Sequence, residues 1–168
     1  GAEVKATLLV LALLLVPYKL SEGLIQMLNI ERTSELFLLA ATVAMEAEGE
    51  SYKGKLGVAY VIMNRSNNRV PFKSISDVVL DPYDFSAWNT KGGRQLALDT
   101  IAHRIWLDSE KAAASAYYGI EKDPTFGAKH YLNVPLTRKL RGGSLPTWLI
   151  AMKRTTKIGL HTFYKEVK

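Results

Sequence analysis

The sequence predicts a mostly helical α+β domain with a small β element and an N-terminal hydrophobic helix. Apolar residues recur at helical spacing in two consecutive segments, 34–49 and 52–67. Alanines are concentrated within 95–118, while β-branched and aromatic residues follow Gly159 and favour a strand there. With 168 residues, the chain is long enough to bury a core without a metal or a disulfide.

Two helices are predicted in the first half of this domain. Thr33 or Ser34 is the predicted N-cap of the first helix, and Gly49 is its natural stop. The apolar residues that share one face of this helix are Leu36, Leu39, Ala40, Val43 and Ala47. In the second helix, over 52–67, the recurring residues are Leu56, Ala59, Tyr60 and Met63. Each helix therefore has an apolar face that can pack on a common core.

The remaining elements are shorter or less regular. Segment 71–82 predicts a loop, a helical turn and a second loop, and the aromatic, turn-rich segment 82–93 is expected to line a surface or cleft. A long helix or helix pair is predicted over 95–118. Turn residues and then a short strand are predicted within 119–136, and the residues after Gly159 are expected to pair as an edge strand.

The N-terminal segment carries an uncharged apolar run over 6–18, between Lys5 and Lys19. This run of about 13 residues is shorter than the roughly 20 that a membrane-spanning helix needs. Three interpretations remain open: an export signal or signal anchor, a helix packed on the domain, and a weak membrane contact. The run is apolar on all sides, which favours a membrane or full burial over a half-exposed helix, and export or anchoring is slightly favoured over a buried helix. The predicted organisation is an N-terminal segment and connector over 1–32 and a catalytic domain over 33–168.

Composition limits the chemistry that the chain can perform. The absence of cysteine excludes thiolate nucleophiles, disulfides and cysteine-ligated zinc. A net charge of +6 favours contact with polyanions, although the bases are scattered as on an ordinary solvated surface. We expect no metal, no cofactor and no nucleic-acid partner.

Three glutamates follow the first apolar run, at 46, 48 and 50. Helical geometry places Glu46 at the boundary between the apolar face and the exterior, whereas Glu48 should be solvated. Partial burial raises the pKa of a carboxyl and lets it stay protonated as a general acid. An ordinary solvated helix end fits the same spacing, so the pattern alone does not decide between the two interpretations.

Five short motifs extend the pattern along the chain. They are EAEGE at 46–50 with Asn64 and Arg65, ISDVV at 75–79, Phe85 with Ser86, DPTFGA at 123–128 with Tyr131 and Asn133, and IGLHTFY at 158–164. In this order, over about 35–164, they resemble the cell-wall hydrolase family typified by the spore-cortex-lytic enzyme SleB. The resemblance implies a lysozyme-like fold and cleavage of the glycan between N-acetylmuramic acid and N-acetylglucosamine.

The resemblance also implies roles for individual residues. The catalytic glutamate of the family is the first of its motif, which is Glu46 here, while Glu50 would be a structural or substrate-ordering carboxylate that accepts backbone amides at the start of the next helix. The residues implied to bind substrate or to support Glu46 are Phe85, Ser86, Tyr131, Asn133 and His161. Burial or turn formation explains Ser86, Tyr131, Asn133 and His161 equally well from the sequence alone. Among the tryptophans, Trp88 is the best candidate for a sugar-stacking platform.

Two positions depart from the family pattern. Asp84 stands where the family usually has glutamine, and it could supply a second carboxylate that activates water. Leu160 replaces a usual asparagine before His161, which removes a polar group and could alter contacts with sugars.

The function predicted from these residues is cleavage of peptidoglycan glycan strands in bacterial cell-wall lysis. A lytic transglycosylase, which needs a single protein acid, is favoured over a muramidase. Two alternatives remain: a zinc amidase built from His103, His130 and His161, and a non-catalytic basic module that binds the cell wall. We expect a monomer exported to the periplasm or cell envelope, with membrane contact through 6–18, and a phage lysis enzyme is the favoured origin.

Overall fold

The computed structural model describes residues 31–67, 73–82, 84–88 and 101–167. The chain divides into two compact units, Gly1–Ser34 and Glu35–Lys168, and the core, the sheet and the cleft described below belong to the second. The apolar run at 6–18 lies outside the described residues, so its membrane contact and the boundary between 32 and 33 stay predictions. Within the described ranges, no helix is long and apolar enough to cross a membrane.

The elements follow one another in an order that begins with helices and ends with strands. They are α1 (31–46), α2 (Tyr52–Asn67), α3 (Ile75–Val79), a 3₁₀ turn (Ser86–Trp88), α4 (His103–Tyr117), β1 (His130–Asn133), α5 (Val134–Leu140), a second 3₁₀ turn (Thr147–Ala151), β2 (Met152–Ile158) and β3 (His161–Glu166). This order confirms the predicted mostly helical α+β fold with a small β element.

The helices α1 to α4 enclose the main hydrophobic core. Residues 39–44 of α1 are at most 3% exposed, because nearly every side chain in this stretch is apolar or small. Thr42 is the polar exception, and its hydroxyl donates to the Leu38 carbonyl oxygen at 2.7 Å. The part of α1 that directly precedes Glu46 is therefore enclosed in the core.

The first helix ends earlier than predicted. The Ala47 N–H still donates to the Val43 carbonyl at 2.9 Å, but the next bond joins the Glu50 N–H to the Ala47 carbonyl in a tight turn. Glu46 is thus the last helical residue, and the predicted stop at Gly49 is wrong. Thr33 and Ser34 lie inside the helix, so their prediction as N-caps is also wrong.

The other helices agree more closely with the sequence. The helix predicted over 52–67 is confirmed as α2, and the helical turn within 71–82 is α3, which begins with a capping box of Ser74 and Asp77. The long helix predicted over 95–118 corresponds to α4, which begins at His103. Residues 89–100 lie outside the described part of the chain.

The three strands form an antiparallel sheet in the order β1-β3-β2. The strand that follows Gly159 is therefore central, so its prediction as an edge strand is wrong. The edge positions belong to β1 and β2, and the sequence did not predict β2. Exposed bases such as Lys153 and Lys157 hide the strand pattern of β2, and such charges are typical of an edge strand.

Close packing joins α2 to the sheet. A Cβ atom on Gly57 would approach the Phe163 ring to 2.8 Å, so only glycine allows this contact. Phe163 is fully buried in a second core cluster with Val61, Ala128 and Ile158. Tyr131 of β1 packs against both core clusters, and the sheet therefore presents this side chain towards the end of α1.

Candidate active site

A cleft of about 420 Å³ lies between the end of α1 and the sheet. Residues 45–50 of α1 and the following turn form one side. Residues 131–133 of β1, with Leu136 of α5, form the other. Leu160 and His161 complete the cleft from the turn between β2 and β3. The cleft therefore lies between the helical core and the sheet.

Glu46 is half-buried in this cleft, at the C-terminal end of α1. The Tyr131 hydroxyl donates to Glu46 Oε2 at 2.9 Å. The backbone N–H of Ala87, in the first 3₁₀ turn, also donates to the Glu46 carboxylate. Two donors from distant parts of the chain therefore fix the orientation of this carboxylate.

Burial raises the pKa of Glu46 above its ordinary value of 4.5. The hydrogen bonds from Tyr131 and Ala87 and the positive charge of Arg65 each lower the pKa of Glu46, but burial has the larger effect. A carboxyl with a raised pKa keeps its proton at higher pH than an exposed glutamate, which is the property that a general acid needs.

Tyr131 donates a hydrogen bond to Glu46 and keeps its own proton. Burial, followed by the charge and the hydrogen bond of Glu46, raises the pKa of Tyr131 well above 10. The phenol therefore stays protonated at neutral pH and continues to donate to Glu46. Its ring lies 4.7 Å from the His161 ring and 6.0 Å from the Phe163 ring, measured between centroids.

Replacing Tyr131 by phenylalanine should move the pH profile of the reaction. Loss of a hydrogen bond that lowers the Glu46 pKa should raise this pKa further, so the alkaline fall in kcat/KM should shift to higher pH. The measurement is kcat/KM on soluble glycan strands from about pH 4 to pH 9, with Tyr164→Phe as the matched control. Tyr164 lies on the same sheet, and its register partner on the neighbouring strand is His130. An equal shift in both variants would therefore contradict the assignment of Tyr131 as the residue that acts on Glu46.

His161 supports the Tyr131 ring from the neighbouring strand. It is 8% exposed, and burial lowers its pKa although the charge of Glu50 raises it, so the imidazole is neutral at neutral pH. Among the described residues, its buried Nδ1 atom has no hydrogen-bond partner. The His161 ring packs on the Tyr131 ring and also contacts the Phe163 ring edge-on, with 6.3 Å between centroids.

Glu50 connects the turn after α1 to the hairpin turn. The Leu160 N–H donates to Glu50 Oε1 at 3.1 Å and lies 3.4 Å from Oε2. The amide partner lies on the β2–β3 turn, so the predicted contact with the start of the next helix is wrong. Glu50 therefore has a structural contact that holds opposite sides of the cleft together.

Asn133 lies in the cleft and also caps α5. Its Oδ1 atom accepts the Leu136 N–H at 3.1 Å, in the position of an N-cap. Since the cap uses the side-chain oxygen, the amide nitrogen keeps its donors for another partner. A turn role and a substrate role for Asn133 are thus compatible.

Asp84 is paired with a buried cation. Its Oδ2 atom lies 3.3 Å from Nη1 of Arg65, which is 7% exposed and also donates through Nε to the Lys129 carbonyl at 2.6 Å. The Arg65 guanidinium lies 5.2 Å from the centre of the Phe85 ring. Neither Asp84 nor Phe85 is among the cleft-lining residues, and Phe85 is a core residue at 1% exposure.

Two further sequence predictions concern the first 3₁₀ turn. Trp88 is 6% exposed and donates through Nε1 to the Thr42 hydroxyl at 2.9 Å. Its prediction as a sugar-stacking platform is wrong, because the ring is part of the helical core. The side chain of Ser86 lies outside the described part of the structure.

A profile of the Cell Wall Hydrolase family matches residues 49–164, which is more than half of the chain. The chain belongs to this family. The match begins three residues after Glu46, so the assignment of Glu46 rests on the geometry of the cleft and on the motif that continues through Glu50.

Curated members of the cell wall hydrolase type have similar sequences. A spore cortex-lytic enzyme from Halalkalibacterium halodurans is 31% identical over 130 residues, which cover 77% of this chain and 34% of the relative. One from Oceanobacillus iheyensis is 30% identical over 134 residues, covering 79% of this chain and 42% of the relative. The chain thus spans about a third to two fifths of the length of these relatives.

Solved domains of the same type share the fold. The catalytic domain of the Bacillus cereus SleB protein superposes with a TM-score of 0.57 and 27% identity, covering 79% of this chain and 91% of that domain. The catalytic domain of a germination-specific lytic transglycosylase, SleB from Bacillus anthracis, gives 0.57 and 28%, with 78% and 93% covered. The helical domain and its sheet are therefore those of a cell wall hydrolase.

Two groups that lower the pKa of Glu46 were not identified as such from the sequence. Ala87 contributes only a backbone N–H, for which no side-chain signal exists. Arg65 was recognised as part of a motif, but its effect on the Glu46 pKa depends on folding. Within the ranges that the structure describes, no group of three histidine or acidic side chains could hold a metal ion.

Proposed function

We propose that this cell wall hydrolase cleaves peptidoglycan glycan strands between N-acetylmuramic acid and N-acetylglucosamine, as a lytic transglycosylase that uses Glu46. The observation that carries this proposal is a half-buried carboxyl with a raised pKa, oriented by Tyr131 in an open cleft. The names of the similar proteins, spore cortex-lytic enzyme and lytic transglycosylase, support the same activity.

The reaction needs one protein group that first donates and then accepts a proton. Protonated Glu46 gives its proton to the glycosidic oxygen while the bond from that oxygen to the muramic acid C1 breaks. The 6-hydroxyl of the same muramic acid then bonds to C1, and its proton passes to the Glu46 carboxylate. The product is a 1,6-anhydro sugar, and Glu46 returns to its protonated state. Tyr131 stabilises the carboxylate between the two steps because it remains a donor.

Hydrolysis would instead require a second carboxylate to activate water or to attack C1. Asp84 is bound to Arg65, and Glu50 is bound to the Leu160 N–H. Glu48 is exposed at the cleft, as predicted, and among the described residues its carboxylate has no such fixed partner. The contacts of Asp84 and Glu50 therefore favour the single-acid mechanism.

Digestion of peptidoglycan in ¹⁸O-labelled water should separate the two mechanisms. Hydrolysis places a solvent oxygen on the new reducing end, whereas transglycosylation forms the C1–O6 bond and takes up none. After immediate borohydride reduction, mass spectrometry should show unlabelled products that have no reducing end and are lighter than the reduced hydrolysis products by one water and two hydrogens. Label at reduced muramic acid ends would contradict the transglycosylase proposal. If the wild type does take up label, its loss in Glu48→Gln or Asp84→Asn would identify that residue as the base that activates water.

The two alternative functions lack support in the site. A zinc amidase needs a cluster of ligands, and none is present in the described ranges. A purely binding module would have no need for a carboxyl with a raised pKa. Released stem peptides with intact glycan strands would revive the amidase. Binding to cell walls without any cleavage would support the module.

We also propose that the protein acts in the cell envelope, where its substrate lies. The apolar run at 6–18 is the segment of the chain that fits export or membrane contact. Fractionation of cells that express the full chain tests this, since recovery only in the cytosol would overturn it. A phage origin and a monomeric state stay predictions.

A further inference from the structure

Lys55, in the first turns of α2, is buried with 2% exposure. Its Nζ atom donates to three backbone carbonyls: those of Ala47 at 2.8 Å, Glu48 at 3.1 Å and Glu50 at 2.7 Å. An ammonium group has three N–H donors, so each donor has an acceptor. This side chain is therefore fully committed to one stretch of backbone.

The three carbonyls belong to the turn that directly follows Glu46. The last carbonyls of a helix lack partners within the helix and carry the negative end of its dipole. Lys55 binds the three carbonyls that follow this helix end, and it places a positive charge near the negative end of the helix dipole. The same turn carries Glu50, whose carboxylate binds the Leu160 N–H across the cleft.

Burial of Lys55 has a free-energy cost. Desolvation lowers the pKa of Lys55, although the charges of Asp108, Glu50 and Glu48 each raise it. Loss of Lys55 would leave three carbonyls without this donor, so a test must separate a positioning role from a loss of stability. Arg65 is the cation that lowers the pKa of Glu46. Lys55 would thus act on Glu46 through the backbone.

We propose that Lys55 is a positioning residue, which holds the Glu46 carboxyl in its place in the cleft by fixing the backbone of 47–50. This inference rests on the proposed function for its kinetic consequence. Its structural part stands on the three hydrogen bonds alone. Small displacements of a catalytic group are costly, with a 1 Å shift worth about a hundredfold in rate.

The kinetic test compares Lys55→Met with Lys55→Gln. Methionine keeps an unbranched apolar chain but removes every donor, so kcat should fall by about 10- to 100-fold with KM changed less than about twofold. Glutamine keeps two N–H donors and should restore part of the lost kcat. A folded Lys55→Met protein with the kcat of the wild type would overturn the proposal.

A matched control separates positioning from general loss of stability. Ile62→Val removes one buried methyl group from a fully buried residue of the same helix and should lower the unfolding temperature without changing any donor to the three carbonyls. Its kcat should stay at the wild-type value at temperatures well below unfolding. If Ile62→Val lowers kcat as much as a Lys55 variant with the same unfolding temperature does, the loss of kcat reflects lost stability and the positioning role is contradicted.

Amide hydrogen exchange provides a readout that does not depend on activity. The Leu160 N–H, which binds Glu50, should exchange at least about tenfold faster in Lys55→Met and unchanged in Ile62→Val. Unchanged Leu160 exchange in a folded Lys55→Met or Lys55→Gln protein would overturn the inference. If the wild type cleaves no glycan but this exchange pattern appears, the proposed function fails while the positioning of the turn stands.

Discussion

Glu46→Gln should lower the rate of glycan cleavage by at least about a hundredfold. Glutamine has the size of glutamate, and its amide oxygen can still accept the Tyr131 hydroxyl, but it has no acidic proton to donate. The rate can be followed as the loss of turbidity of purified cell walls. Binding to the same walls should be unchanged, because the cleft keeps its shape.

Glu110→Gln is the control for this substitution, since Glu110 is exposed on α4. It makes the same carboxyl-to-amide change without touching the cleft, and it should cleave cell walls at the wild-type rate. A Glu46→Gln protein that keeps more than about a tenth of the activity would show that Glu46 is not the acid.

Glu46→Gln should also change how the free energy of unfolding depends on pH. The folded-state pKa of Glu46 is raised above its unfolded value, so the unfolded state releases this proton first. Stability conferred by the protonated form is therefore lost as pH rises from the unfolded pKa through the folded pKa. Glu46→Gln should remove this loss, and near neutral pH it should unfold at a temperature no lower than the wild type. A clearly lower unfolding temperature would mean that the buried carboxylate stabilises the fold.

Gly159→Ala should have the second large effect, on both stability and cleavage. Gly159 has φ +55°, and a Cβ atom there would lie 1.9 Å from Glu50 Oε2. Either the Glu50 carboxylate or the hairpin turn must move, and either movement breaks the bond from the Leu160 N–H to Glu50. We expect a loss of about 1–3 kcal/mol in the free energy of unfolding, with reduced activity, measured by denaturant titration and wall lysis.

Gly142→Ala isolates the collision from the backbone strain. Gly142 has φ +60°, almost that of Gly159, but a Cβ atom there meets nothing within 4 Å. This control should show only the cost of about 1–2 kcal/mol for a left-handed alanine and should keep its activity. Equal loss of activity in both variants would contradict the role of the Glu50 contact.

The position of Glu46 was predictable because it depends on local spacing. Helical periodicity placed it at the edge of the apolar face, and the structure finds it half-buried there. The end of its helix was not predictable, since the carbonyls after Glu46 bind Lys55, which follows on a different helix. Gly49 was the expected stop from local rules, which take no account of this contact.

Long-range packing explains the other errors. Trp88 has an aromatic ring that could stack on a sugar, but its indole N–H donates to the hydroxyl of Thr42, 46 positions earlier, and the ring is buried in the core. The order of the strands also depends on contacts between distant segments, because β3 pairs with both β1 and β2. Tyr131 as a partner of Glu46 came from the family resemblance alone. Its distance from Glu46 along the chain leaves no local pattern to find.

Mass spectrometry of the fragments that the wild type and Glu46→Gln release from purified peptidoglycan tests the central claim most directly. We expect the wild type to release 1,6-anhydro muropeptides, lighter by one water than hydrolysis products, and the variant to release none above background. The same anhydro products from Glu46→Gln, at a comparable rate, would contradict the account of Glu46 as the acid that cleaves the glycan strand.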